Sequence, residues 1–165
     1  MKMQTASMID CLRAAGEPTR LRVLALLRQR DLSVGELVQV LEQSQPRLSH
    51  HLKALTSAGL VERLPEGSFV FYRAATGEPG RSLLESLFAL LDMDEADFAR
   101  DRQRLEEVSA ARAESAEAFF SSIAGNWDRL RSLHYPNDLI ESALLDLSGS
   151  GPFGRVLDFG TGTGR

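Results

Sequence analysis

Apolar and polar residues alternate at helical spacing through the first half of the chain, and the clearest stretch runs from Ser44 to Arg73. Leu48, Leu52 and Leu55 stand at i, i+4 and i+7, a stripe suited to a core, while Arg47, Ser49, His50 and Lys53 point away from it. Pro46 suits the first helical turn and Gly59 the stop. Leu60 to Leu64 and Phe69 to Arg73 then form two short apolar-rich runs across Pro65-Glu66-Gly67-Ser68, which predicts a hairpin.

Three helices are expected upstream. Ala6 to Ala15 carries Met8, Ile9 and Leu12 on one side and ends at Gly16. Pro18 starts a second helix, Thr19 to Arg30, with Leu21, Leu24 and Leu27 as its inner stripe and Arg20, Arg22, Arg28 and Arg30 as its charge. The third begins at Ser33-Val-Gly-Glu36, a capping-box pattern in which serine caps a backbone N–H and glutamate reaches back. Val34, Leu37, Val38 and Leu41 follow on one face, and Gln43 and Ser44 form the turn into the fourth helix. A capped helix, a turn, a helix with a polar face and a hairpin make a winged helix-turn-helix.

Downstream, Arg81 to Leu91 carries Leu83, Leu84, Leu87, Phe88, Leu90 and Leu91, an apolar face wider than a small domain buries alone, so a second subunit is expected against it. Asp92 to Ala118 is rich in Asp, Glu, Arg and Ala. Phe98, Leu105 and Val108 look too sparse for a core there, and the segment reads as an exposed, charge-laced connecting helix. The chain turns apolar and aromatic again from Phe119 through Trp127 to His134. Asn137 or Asp138 can cap a further helix, Leu139 to Leu147, which Gly149-Ser-Gly-Pro breaks. The last segment is a short strand, Arg155-Val-Leu-Asp-Phe, running into the glycine-rich turn Gly160-Thr-Gly-Thr-Gly164.

Composition narrows the class. With 43% hydrophobic and 25% charged residues among 165, the chain is not disordered throughout. No stretch approaches the roughly 18 uninterrupted apolar residues of a membrane span, and a single cysteine, Cys11, fits a reducing compartment, so a cytoplasmic protein is expected. The net charge of −4 hides an asymmetry. Residues 1 to 81 carry 11 Lys and Arg against 8 Asp and Glu, whereas residues 82 to 165 carry 8 against 15. Because exposed charges are screened over about 10 Å at ordinary salt, a basic first half can meet DNA beside an acidic second half.

On the polar face of the fourth helix, Arg47 has the chemistry to read a guanine edge, Gln45 an adenine edge, and Ser49 either. Lys53 and Arg63 suit phosphate contacts. His51 precedes inward Leu52 and is expected to be structural. No constellation of catalytic residues is recognisable.

Gly16-Glu-Pro-Thr-Arg-Leu-Arg-Val-Leu24, the Ser44-to-Lys53 helix and the hairpin from Gly59 to Tyr72 resemble the ArsR/SmtB family of bacterial winged-helix repressors, over roughly residues 5 to 92. The resemblance implies a homodimer joined through the first and last helices, reading a palindromic operator as a repressor. It implies that Gln45, Pro46, Arg47, Ser49 and His50 face the major groove and that the hairpin around Gly67 touches the neighbouring backbone. Many members sense metals, through a Cys-x-Cys pair on the third helix or Asp, His and Glu ligands on the last. Neither set is present here: the candidates are Cys11, His50, His51 and His134, and no metal is expected.

Asp158-Phe-Gly160-Thr-Gly162-Thr-Gly164 does not fit the dinucleotide pattern G-x-G-x-x-G, since Arg165 stands where the last glycine belongs. It resembles the first motif of class I methyltransferases, which implies S-adenosylmethionine or S-adenosylhomocysteine at Asp158, Gly160, Gly162 and Gly164. With the Trp127 region, the chain is similar to ArsR-type regulators fused to such a domain, and the alternative reading of the whole protein is a methyltransferase with the winged helix as a targeting or dimerisation module. The helix and acidic residue that complete this kind of site do not appear by Arg165, so the chain is expected to be a piece of a longer protein. The expected organisation is therefore mainly α with a small hairpin wing: a winged helix-turn-helix domain at 1–92, a helical linker at 93–118, and at 119–165 the first strand of an incomplete Rossmann-like methyltransferase domain.

Overall fold

The computed structural model describes residues 3–124, 142–143 and 145–147. The chain divides into two compact units, Met1–Ala110 and Ala111–Arg165. The first holds α1 (Thr5–Ala15), α2 (Pro18–Leu27), β1 (Leu32–Ser33), α3 (Val34–Leu41), α4 (Gln45–Ser57), β2 (Val61–Glu66), β3 (Phe69–Ala74), α5 (Gly80–Ala89) and the start of α6 (Ala96–Ala124).

The central element is α2. Glu17 caps it by accepting from the Arg20 N–H at 2.9 Å, Pro18 occupies its first turn, and Val23 to Leu27 are buried without interruption. The helix ends at Leu27, three residues before the expected Arg30, with Arg28 as its C-cap and the Arg28 N–H donating to the Leu24 carbonyl at 3.0 Å. The capping box of α3 is present as expected: Ser33 Oγ accepts from the Glu36 N–H, and Glu36 Oε2 accepts from the Ser33 N–H at 2.7 Å. Glu42, in the left-handed region at φ 52°, ends α3 and swings the chain into α4.

The wing differs from expectation in two ways. Its first strand runs two residues further toward the tip, to Glu66, leaving a two-residue turn at Gly67-Ser68 in place of a four-residue one, while the second begins at Phe69 as expected. Gly67 has φ +58°, the conformation that a tight hairpin turn gives to glycine at its first position. The sheet also has a third strand: Leu32 and Ser33 pair antiparallel with Tyr72 and Phe71, giving the order β1-β3-β2. Two residues are too few for period-2 alternation to register in a sequence.

In α1, Cys11, Ala14 and Ala15 face inward, and the Cys11 thiol donates to the Ala58 carbonyl at 3.1 Å. Ile9 (42% exposed) and Leu12 (50%) face out. In α5, Leu84 and Phe88 are buried, Leu83, Leu87 and Leu91 partly so, and Leu90 is exposed.

The start of α6 corrects the sequence reading. Phe98 and Leu105, expected to be too sparse for a core, are both buried, with Asp101 between them at 2% exposure and Val108 packed against the same core. Positions 98, 101, 105 and 108 follow 3-4-3 spacing, a narrow inward stripe in which a carboxylate takes an apolar place. Arg22 meets that carboxylate through two hydrogen bonds of 2.6 Å. In the second unit, the described residues 111–119 and 121 of α6 are exposed, and residues 142–143 and 145–147 are helical, with Leu145 and Leu147 exposed. Among the described residues no helix is long and apolar enough to cross a membrane.

Candidate nucleic-acid interface

The leucine stripe of α4 decides what that helix presents. Leu48, Leu52 and Leu55 are at most 1% exposed, which locks the rotation of α4 and turns the opposite face outward. Gln45, Pro46, Arg47, Ser49, His50 and Lys53 are all exposed on it. Ser44 makes no side-chain cap and the first turn has no acidic residue, so the N–H groups at that end are open to an anion. On the wing, Arg63 lies opposite Tyr72 on the face that Val61 and Ala74 share, and it is exposed, as is Gly67 in the turn. All eight sequence-predicted residues are thus at the surface, six on one helix and two on the hairpin that follows it.

Their electrostatic state sets the cations among them apart. Elsewhere in the first unit arginines are engaged: Arg22 with Asp101, Arg30 with Glu106, Arg73 with Asp31, Arg81 with Glu78 and Glu85, and Arg104 with Glu42. Arg20 donates to the Ala14 and Arg13 carbonyls, and Arg28 lies over the Phe88 ring. Among the described residues Arg47, Lys53 and Arg63, with Arg13, make no side-chain hydrogen bond, ion pair or ring contact. Three of these four unengaged cations lie on α4 and the wing. Cations with no internal partner on one exposed surface have their full donor capacity left for phosphates or base edges.

Behind this face sits His51, 7% exposed, its Nδ1 3.6 Å from Glu17 Oε2 and neither ring nitrogen hydrogen-bonded. Burial pushes its pKa down, as do Arg20, Arg47 and His50, against the opposing pull of Glu17. Burial pushes Glu17 up, but hydrogen bonds from Arg20 and Thr19 and the nearby His51 outweigh it, leaving its carboxyl below the usual range. His51 is structural, as expected, and it links the back of α4 to the cap of α2. The sequence reading missed that link because it joins residues in different helices, and it also missed Phe69, 66% exposed beside the wing turn within an apolar run.

Asp158, Gly160, Gly162 and Gly164 lie outside the described residues, as do Trp127 and His134. Among the described residues no group of three or more His, Cys, Asp or Glu side chains is placed to hold a metal ion.

The sequence that builds this surface matches known proteins. The family described as "Bacterial regulatory protein, arsR family" matches residues 17–63, from the α2 cap into β2. The biofilm growth-associated repressor of Agrobacterium fabrum is 36% identical over 90 residues, which cover 54% of this chain and 76% of that protein. The chain belongs to the arsR family of bacterial regulatory proteins. The transcriptional activator HlyU of Vibrio cholerae is 38% identical to this ArsR-family chain over 90 residues, 54% of this chain and 82% of HlyU. Among solved structures, HlyU from Vibrio cholerae N16961 is 37% identical, covering 55% of this chain and 97% of that one with a TM-score of 0.48. In this ArsR-family chain the helix-turn-helix is α3 and α4, and the wing is β2 and β3 with β1 beside them.

Proposed function

We propose that the chain is a sequence-specific DNA-binding transcriptional repressor that acts as a homodimer on a palindromic operator. The observation that carries this reading is the exposed α4 face, with Arg47 and Lys53 unengaged on it and Arg63 unengaged on the adjoining wing. In that arrangement α4 enters the major groove, Gln45, Arg47 and Ser49 reach base edges, and Lys53, Arg63 and the turn at Gly67 hold phosphates. The dimer is supported by Ile9, Leu12 and Leu90, large apolar side chains left exposed on the first and fifth helices. Two copies of α4 then read half-sites about 34 Å apart. Titrating labelled fragments of the neighbouring promoter with the chain tests the reading; equal affinity for every fragment and for random DNA overturns it.

The repressor is read as not a direct metal sensor. Cys11 is 3% exposed with its thiol directed to a carbonyl, and His51 is buried, which removes two of the soft or imidazole donors the sequence offers. Added zinc should leave operator affinity unchanged.

A second reading rests on the sequence Asp158-Phe-Gly-Thr-Gly-Thr-Gly164: a full-length protein that is an S-adenosylmethionine-dependent methyltransferase carrying the winged helix as a targeting module. Operator affinity of the full-length protein, measured with and without S-adenosylmethionine and S-adenosylhomocysteine, separates the two. A shift joins enzyme and regulator by reciprocal coupling; its absence leaves them independent.

A further inference from the structure

Away from the α4 face, the first unit contains a cavity of about 400 Å³ between the end of α2, the end of β3 and the start of α5. Its apolar lining comes from Leu27, Ala74, Ala75 and Leu84; its charged lining is Arg28, Arg30, Arg73 and Arg81 against Asp31 and Glu85. Arg73 is held by Asp31, Arg81 by Glu78 and Glu85, and Arg30 by Glu106 outside the cavity. Arg28 differs. Its guanidinium carbon lies 4.5 Å from the Phe88 ring centroid, and among the described residues it has no carboxylate partner, so a stacked guanidinium with its donors unspent borders the cavity.

We propose that this cavity is a binding site for a small organic carboxylate, its head on Arg28 and its apolar body against Leu27 and Leu84. The volume is that of a small-molecule site, and the lining sets a small apolar floor beside a charged rim, as an amphipathic ligand requires. A guanidinium fork matches a carboxylate in plane and spacing. Four arginines against two carboxylates in the lining suit an anion. The site includes the tie between a wing strand and the loop after α2, since Arg73 on β3 is bonded to Asp31 there. A carboxylate on Arg28 shares the cavity with that tie, and its charge competes with Asp31 for Arg73, so occupancy biases the wing. This last consequence rests on the DNA-binding reading; ligand binding does not.

The test titrates the whole chain, without DNA, with hexanoate and benzoate by calorimetry in 0.15 M NaCl, with hexanol as the uncharged control. At least one carboxylate should bind saturably below about 1 mM while hexanol does not. The amide resonances of Thr76 and Glu85 should move along the titration. Arg28→Gln should weaken binding about tenfold with an unchanged melting temperature, the loss of a charge-assisted hydrogen bond. If that variant melts early, Arg28→Lys, which keeps a cation near Phe88 but loses the planar fork, serves in its place. No saturable binding by either carboxylate, equal binding of hexanol, or resonance shifts confined elsewhere overturns the proposal. An operator titration at saturating carboxylate is a separate measurement: an unchanged affinity there removes the coupling and leaves the site.

Discussion

Arg22 on α2 and Asp101 on α6 lie 79 positions apart and meet through two parallel hydrogen bonds of 2.6 Å, with side chains 14% and 3% exposed. The pair sits where the α6 stripe passes the central helix, so the first turns of α6 belong to the core that positions α4. A buried ion left without its partner carries an uncompensated desolvation cost, here that of the Arg22 guanidinium, whereas replacing both charges by apolar groups removes the cost and the attraction together. Asp101→Ala should therefore lower stability by roughly 3 kcal/mol in urea denaturation. Arg22→Met with Asp101→Leu should recover most of that loss. A double variant no better than the single one would show that packing, not charge, holds α6.

Arg47 and Lys53 share the exposed face of α4 but should fail differently. Arg47→Ala removes a side chain able to make bidentate contact with guanine, which costs about 1 to 3 kcal/mol of discrimination at one base pair. The expected result is weaker operator binding, relaxed preference at that position and an unchanged melting curve. Lys53→Ala should weaken binding to all sequences alike and reduce the slope of log affinity against log salt by about 1. Fluorescence anisotropy over a salt series distinguishes them, and identical behaviour of the two variants would argue against base reading by Arg47.

How much of this was legible beforehand follows the range of the interactions. The Ser33–Glu36 capping box and the stripe Leu48, Leu52, Leu55 are written within a few residues of one another, and both are as the sequence predicts. The α4 face came with them, since a buried stripe dictates its opposite. What escaped depends on distant partners. Asp101 reads as a surface acid until Arg22 is beside it; Leu32-Ser33 is a strand only because Tyr72 and Phe71 lie next to it; and Arg28 is one more helix charge until Phe88 comes under it. The wing turn was overestimated because Pro65 and Glu66 are poor strand formers that pairing with Val70 and Phe69 nonetheless accommodates.

Gly67 tests the wing alone. At φ +58° any residue with a Cβ is strained by roughly 1 to 2 kcal/mol, although nothing lies within 4 Å of the position a Cβ would take. Gly67→Val should therefore lower stability by about that amount and lower DNA affinity through the wing's shape. Gly67→Asn, which tolerates the left-handed region, should behave nearly as the parent. Equal affinities for parent and Gly67→Val would mean the turn makes no contact with DNA.

His51 makes the α4 support sensitive to acid. Burial lowers its pKa from the ordinary 6.5, with Arg20, Arg47 and His50 adding to the effect and Glu17 opposing it. The folded chain thus prefers the neutral ring. Its contribution to stability is complete above pH 6.5; as pH falls below that, the unfolded chain takes up a proton that the folded one does not, and stability declines until the folded pKa is reached. Glu17, lowered from 4.5, acts in a separate and more acidic window. His51→Leu removes the titrating group and two ring nitrogens that have no hydrogen bond, while filling a similar volume. Melting temperatures at pH 7.5 and 5.5 should fall more steeply for the parent than for His51→Leu, with the two closest at the higher pH. Parallel declines would place the acid sensitivity elsewhere than behind the recognition helix.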